Sequence, residues 1–147
     1  MMLKYDLLLD EGIEGLKSKI LAKESNAFLS ASYQALTLLQ EVIEFLKQDS
    51  YEKYLVASDD RKDDVYRIYQ SLEHIQYKKP ETFHQALQLF WVYALIAGCI
   101  NYGRLDDVLG PFVCRDMENG ILDEQEAIRI LKSLWLMIEN RRTTVNG

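Results

Sequence analysis

A chain of 147 residues with 48% apolar and 11% aromatic side chains can bury a real core, so it is no disordered polypeptide, and it fits one domain or a piece of a larger one. Its net charge of −6 excludes a nucleic-acid or anionic-membrane surface, because both recruit concentrated Lys and Arg. No run is apolar for the ~20 residues a bilayer crossing takes, and Met1-Met2 is followed at once by Lys4, Asp6 and Asp10 rather than by a signal-peptide core, which points to the cytoplasm.

Over residues 5–25, Leu8, Leu9, Ile13, Leu16, Ile20 and Leu21 recur at helical spacing. Gly12 and Gly15 weaken that helix by ~1 kcal/mol each relative to Ala, and predict close packing or a late start. The longest candidate helix covers residues 27–56. Ala35, Leu38, Leu39, Val42, Ile43, Phe45 and Leu46 form its inward stripe, while Gln40, Glu41, Glu44 and Lys47 are expected to face away. Gln48-Asp49-Ser50 marks a candidate break. Ser58-Asp59-Asp60 offers capping residues for a third helix over 61–75, with Val65, Ile68, Tyr69 and Leu72 inward.

The central stretch opens at Pro80, which disfavours helix in the residue before it, and Thr82 with Gln85 fits a T-x-x-Q capping box. Across residues 86–100 only Gln88 interrupts an apolar or small run, so this helix belongs in the core, with Leu89 and Leu95 buried against residues 27–46 and 131–138. At Gly98 the pattern changes, and residues 100–105 alternate like a short strand. A short helix is expected over 108–117, with Gly110-Pro111 at its start, and Asn119-Gly120 is a turn. Asp123 with Glu126 opens a final helix. Ala127, Ile128, Leu131, Leu134, Trp135 and Ile138 are expected to face the core, and Arg141-Arg142 suits the negative end of the helix dipole. Thr143-Thr144-Val145 returns to strand-like residues. The class is mainly α, with about six helices and one or two short strands. Two strands with open edges make no stable sheet, so the segment reads as part of something larger.

Polar residues placed straight after so much buried surface are the site candidates. Strand alternation puts Cys99 and Asn101 on one side and Ile100 and Tyr102 on the other. Arg104 could clamp a carboxylate bidentately, or it could pair structurally with Asp106 or Asp107. Adjacent Asp106 and Asp107 point apart on a helix, which favours capping over a shared-proton dyad. There is no phosphate loop, dinucleotide fingerprint or zinc pattern. His74 and His84 stand ten apart with no second ligand at metal spacing, so no metal site is expected and both read as surface or packing histidines. Cys99 and Cys114 lack C-x-x-C spacing and read as free thiols of a reducing compartment. Phe90, Trp91 and Tyr93 read as core rather than as a cofactor platform.

The stretch ETFHQALQLFW, followed by INYGRLDDVLGPFVCRDMENGILDEQEAIRILKSLW, resembles the glycyl radical enzymes: pyruvate formate-lyase, glycerol and diol dehydratases, choline lyase and relatives. That family carries a P-x-T-F-x-E-A-x-Q helix, a (S/N)-x-G-R-x-D segment, a P-(F/Y)-x-x-x-D helix and a G-x-(I/L)-x-x-x-x-A turn and helix. Here these are residues 80–88, 101–106, 111–116 and 120–127, with Gln85 where Glu is common. Glu11-Gly12-Ile13-Glu14-Gly15-Leu16 extends the likeness toward the N-terminus.

The resemblance implies an α/β barrel of two half-barrels wrapped in helices, with the substrate inside. It implies an iron–sulfur activating enzyme that uses S-adenosylmethionine to take a hydrogen from a glycine near the C-terminus. The glycyl radical then makes a thiyl radical on a loop cysteine, which attacks the substrate. Neither the R-V-(S/A)-G-Y-type loop nor the cysteine loop occurs in this chain. Cys99 lies in G-C-I-N rather than G-C-x-E and precedes the N-x-G-R segment, so it is not that cysteine. By this resemblance the chain holds no catalytic residue and binds no cofactor. It is expected to be a fragment, by truncation of a gene or by design, of a C–C lyase, acyltransferase or dehydratase, and to be inactive alone. Its expected partners are the remainder of the parent enzyme or a second copy, and a small-molecule substrate only in the intact enzyme. There Cys99 and Asn101 line the substrate wall, Asn101 offering its amide and Cys99 giving shape; alternatively Asn101 satisfies only a backbone group at a turn. The competing function is a stand-alone helical protein–protein interaction module that has lost the radical chemistry.

Overall fold

The computed structural model describes residues 5–98 and 101–145, the last four by backbone alone. Among these residues six helices follow one another: α1 (Tyr5–Leu21), α2 (Ala27–Val56), α3 (Asp59–Ile75), α4 (Phe83–Ile96), α5 (Leu105–Glu118) and α6 (Glu124–Val145). The protein is mainly α, and no strand forms among the described residues.

The strand expected over 100–105 is therefore corrected. Ile100 lies outside the described residues, residues 101–104 are irregular, and Leu105 already opens α5. Gly103 adopts φ 63, a left-handed conformation outside regular strand geometry. Residues 143–145 continue α6 instead of leaving it. Without a neighbouring strand to pair with, their N–H groups are paired inside the helix instead. α5 also starts earlier than expected, so Pro111 sits inside it. α2 runs without a break through Gln48-Asp49-Ser50, where Gln48 donates to Glu44 at 2.9 Å and Lys53 to Asp49 at 2.6 Å across single turns.

α4 is the hub. Its Phe83, Ala86, Leu89, Phe90 and Ala94 are fully buried, and it packs against α1, α2, α3 and α5. Leu9 and Ile13 of α1, Leu39 and Ile43 of α2, and Leu72 and Ile75 of α3 close one side; Leu109 and Phe112 of α5 belong to the same core. α1 fits by kinking at Gly12, whose φ of 69 is left-handed. A Cβ there would stand 2.8 Å from the Lys79 Cα and 2.9 Å from its nitrogen, so only glycine lets α1 pass the α3–α4 connection.

Several stripes face differently from expectation. Leu95 is 43% exposed, and Ile128, Leu131, Trp135, Leu38 and Phe45 are exposed too. The buried line of α6 is Ala127, Ile130, Leu134 and Ile138, one helical step round from the exposed one. Gln40, expected to face away, is buried instead. It accepts from the buried Lys17 Nζ at 2.5 Å and donates to Glu14 Oε1 at 2.6 Å and to the Gln76 carbonyl at 2.8 Å. Lys17 also sits over the Tyr33 ring, 4.8 Å from its centroid. A buried ammonium is tolerated because it is both hydrogen-bonded and placed on an aromatic face.

Candidate functional site

The candidate site is the connection between α4 and α5. α4 ends at Ile96 with Ala97 as its C-cap, and Gly98 turns left-handed (φ 63) while its N–H donates to the Leu95 carbonyl at 3.2 Å. Cys99 lies outside the described residues. Asn101 is exposed, and its Oδ1 accepts the Gly103 N–H at 3.1 Å, an Asx-turn that folds the loop on itself. Tyr102 lays its ring near Phe90 and Trp91, at centroid distances of 6.0 and 6.3 Å. From α6, Arg141 donates to the Tyr102 hydroxyl at 3.4 Å and to the Ala94 carbonyl at 3.2 Å, so one guanidinium ties the end of α4, the loop and α6 together. Asn101, Tyr102, Gly103, Leu105, Trp135, Ile138 and Glu139 line a cavity of about 480 Å³.

Arg104 donates from Nε to Asp106 Oδ1 at 3.1 Å and from Nη2 to Asp106 Oδ2 at 2.7 Å and Asp107 Oδ1 at 3.0 Å. Its hydrogen bonds hold the Asp106 carboxyl below the usual range, and Asp106 in turn raises the guanidinium. All three side chains are exposed, so water screens the pairs and they add little stability. Both acids sit in the first turn of α5, at its positive end.

A polar centre that sequence reasoning did not single out lies at the other end of α4. Asp116 is 2% exposed, and its Oδ2 accepts the Phe83 N–H at 2.6 Å. Beside it the Thr82–Gln85 capping box is formed in both directions, and Arg115 donates to the Glu81 carbonyl. The signal was available: Leu109, Phe112 and Asp116 share one helical face, and an acid on an apolar face is either paired or misplaced. After it, the Ile121 N–H donates to the Asp116 carbonyl at 2.8 Å and that of Gly120 to Met117 at 3.1 Å. This is a Schellman stop with Gly120 at φ 68. The chain's P-F-x-x-x-D and P-x-T-F stretches therefore meet through two hydrogen bonds, Asp116 to the Phe83 N–H and Arg115 to the Glu81 carbonyl.

Between α3, α4 and α6, His84 Nδ1 and Ser71 Oγ are 2.8 Å apart. Burial, then the charge of Arg67, pushes His84 down to about 4, so it is neutral at pH 7. Arg67 meets Glu126 at 2.7 Å, and Arg129 bridges Glu126 and Asp64 at 2.8 and 2.9 Å. Hydrogen bonds from Arg129 and then Arg67 hold Glu126 at about 2. His74 contacts the Lys79 carbonyl at 3.0 Å. Among the described residues no His, Cys, Asp or Glu cluster could hold a metal, Cys114 is an exposed free thiol, and no helix is long and apolar enough to cross a membrane.

Comparison with known proteins converges on one family. Residues 1–147 match the family model described as pyruvate formate lyase-like. The chain is 38% identical over 88 residues to trans-4-hydroxy-L-proline dehydratase of Clostridioides difficile, covering 55% of this chain and 11% of that one. It is 29% identical over 154 residues to the probable dehydratase YbiW of Escherichia coli K12, covering 91% of this chain and 19% of that protein. Its fold matches the crystal structure of the C. difficile hydroxyproline dehydratase with trans-4-hydroxy-L-proline bound. There the TM-score is 0.78 at 28% identity, over 88% of this chain and 19% of the dehydratase chain. The chain thus spans less than a fifth of the length of these relatives. It belongs to the pyruvate formate lyase-like family of glycyl radical enzymes.

Proposed function

We propose that this chain is a helical scaffold segment of a cytoplasmic glycyl radical enzyme of the dehydratase or lyase class, and that it is inert alone. The observation that carries this reading is the fold match, over 88% of the chain, to a dehydratase with its substrate bound. In the completed enzyme the radical glycine and the thiyl cysteine come from segments this sequence does not contain, and an S-adenosylmethionine iron–sulfur activating enzyme installs the radical. What this chain's own residues do is hold the loop between α4 and α5. Asp116 anchors the start of α4, Arg141 ties its end to Tyr102, and the Gly103 N–H orients the Asn101 side chain. The Asn101 amide then donates to a substrate hydroxyl, carbonyl or carboxylate oxygen, and Cys99 shapes the wall without carrying a radical. Arg104 is committed to Asp106 and Asp107 and stays at the edge.

The test pairs this chain with the C. difficile hydroxyproline dehydratase produced without its matching segment, the activating enzyme and S-adenosylmethionine, and measures dehydration of trans-4-hydroxy-L-proline. Asn101→Ala is expected to lower kcat/KM by about ten- to a hundredfold, the size of one lost hydrogen bond of ~1.5–3 kcal/mol, with radical yield intact. Cys99→Ala is expected to keep most of its turnover. Loss of all turnover in Cys99→Ala, with fold and radical preserved, would overturn its assignment; full turnover in Asn101→Ala would remove the substrate role of that amide.

A further inference from the structure

α6 carries two apolar stripes, and the bundle uses one. Ala127, Ile130, Leu134 and Ile138 are buried, whereas Ile128, Leu131, Trp135 and Leu136 remain 43–67% exposed. Ile128, Leu131 and Trp135 fall at i, i+3 and i+7, the spacing of a packing face. A helix that is apolar on two sides belongs between two layers, and here only one layer is present. The exposed stripe borders an open, apolar trough of about 510 Å³ that also includes the stem of Lys132. Trp135 lines this trough and the cavity of Asn101 and Tyr102 as well, so one indole borders both.

We infer that the Trp135 trough is the seat of the remainder of the enzyme polypeptide, which supplies the second layer over α6; this rests on the function proposed above. Three observations select that occupant. About four-fifths of the matched dehydratase chain lies outside the matched segment, enough to build a whole layer. Trp135 lines the Asn101 cavity as well as the trough, so the polypeptide that completes the proposed substrate wall beside Asn101 is placed to cover Trp135, a role that a second copy of this chain does not supply. The charges beside Trp135, Lys132 and Glu139, are of opposite sign, which suits a neutral apolar helix or strand face rather than a charged partner. Phe45 on α2 is equally exposed but borders neither cavity, so it serves as the control.

The chain carries its own reporter. Of its two tryptophans, Trp91 is 9% exposed and Trp135 is 67% exposed, so covering α6 shifts emission to the blue almost entirely through Trp135. The probe is the C. difficile hydroxyproline dehydratase lacking its matching segment, titrated into this chain. The expected result is a blue shift of the parent chain on binding, after subtraction of the probe's own emission. By isothermal titration calorimetry, which needs no indole, the expected Kd is at least tenfold weaker for Trp135→Glu and within twofold of the parent for Phe45→Glu. Far-UV circular dichroism establishes first that both variants keep the parent fold. Binding unaffected by Trp135→Glu, or weakened instead by Phe45→Glu, would overturn this surface while leaving the proposed function standing. A dimer of the isolated chain that Trp135→Glu dissolves, with binding of the probe unchanged, would give the trough to a second copy. No binding by the unsubstituted chain would sink the proposed function, and this inference with it.

Discussion

Asp116 and Phe83 stand 33 residues apart in the chain, yet the Asp116 carboxylate accepts the Phe83 N–H at 2.6 Å in a buried site. Phe83 is the first residue of α4, so this acid on α5 caps the helix around which the bundle is built and sits against its positive end. Its second oxygen, Oδ1, is buried with no hydrogen-bond partner among the described residues. The cap thus adds one buried polar contact to the apolar packing of α5 on α4.

Removing that cap should be costly. Asp116→Ala leaves the buried Phe83 N–H unpaired and is expected to lower stability by about 2–4 kcal/mol. Asp116→Asn keeps a neutral acceptor and is expected to lose less. Urea unfolding at pH 7 measures both, and a change under ~0.5 kcal/mol in Asp116→Ala would mean that the capping box alone fixes the start of α4.

The two glycines of α1 should separate. Gly12→Ala puts a Cβ at φ 69 and against the Lys79 backbone, with an expected loss of at least ~2 kcal/mol. Gly15 lies in helical backbone and a Cβ there meets only the Glu11 side chain, so Gly15→Ala is expected to hold or gain up to ~1 kcal/mol. Equal effects in thermal melts would show that the kink at Gly12 is not a packing requirement.

The same logic divides the central helix. Leu89→Asp places a charge at a fully buried position and is expected to cost several kcal/mol, enough to unfold a marginal domain. Leu95→Asp falls on an exposed position and is expected to leave the melting midpoint of the isolated chain within a few degrees of the parent. Unfolding by both would place Leu95 in the core after all.

Much of the fold was legible because it is written locally. The T-x-x-Q capping box, the Asn119-Gly120 stop and the ends of α2 each depend on residues within a turn of one another. What failed to show depends on distant or absent partners. Alternation in residues 100–105 resembles a strand, yet a strand needs a neighbour, and Gly103 turns the backbone away instead. Leu131 and Trp135 obey helical spacing as well as Leu134 does, and periodicity alone cannot tell which stripe a core covers. Gln40 looked solvent-facing because its partners, Lys17, Glu14 and Gln76, come from elsewhere in the chain. At the site, the Arg104 pairs are short-range and readable; the Asp116 cap, bridging 33 residues, is not.

Acid should destabilise the protein over two pH windows. His84 titrates at about 4 in the fold, lowered by burial and then by Arg67, against ~6.5 when unfolded. The unfolded chain therefore binds the extra proton first. The stability tied to neutral His84 is complete above pH ~6.5 and declines as pH falls toward 4, by up to ~1.4 kcal/mol per pH unit. Glu126, held at about 2 by Arg129 and Arg67, and Glu44, held at about 2 by Lys47, Gln76 and Gln48, contribute above the ordinary carboxylate range and lose that contribution as pH drops from about 4.5 toward 2. Melting midpoints from pH 8 to 3 should fall in both windows, and His84→Gln should flatten the upper one. An unchanged upper limb in His84→Gln would assign it to another group.

The most direct measurement is electron paramagnetic resonance of the glycyl radical after anaerobic activation with the activating enzyme and S-adenosylmethionine. The C. difficile hydroxyproline dehydratase lacking its matching segment is treated alone, this chain is treated alone, and the two are treated together. The account predicts a glycyl doublet only, or at least tenfold more strongly, in the mixture, because the scaffold is needed to build the barrel and the radical glycine is not in this chain. A full-strength doublet without this chain, or a radical on this chain by itself, would contradict it.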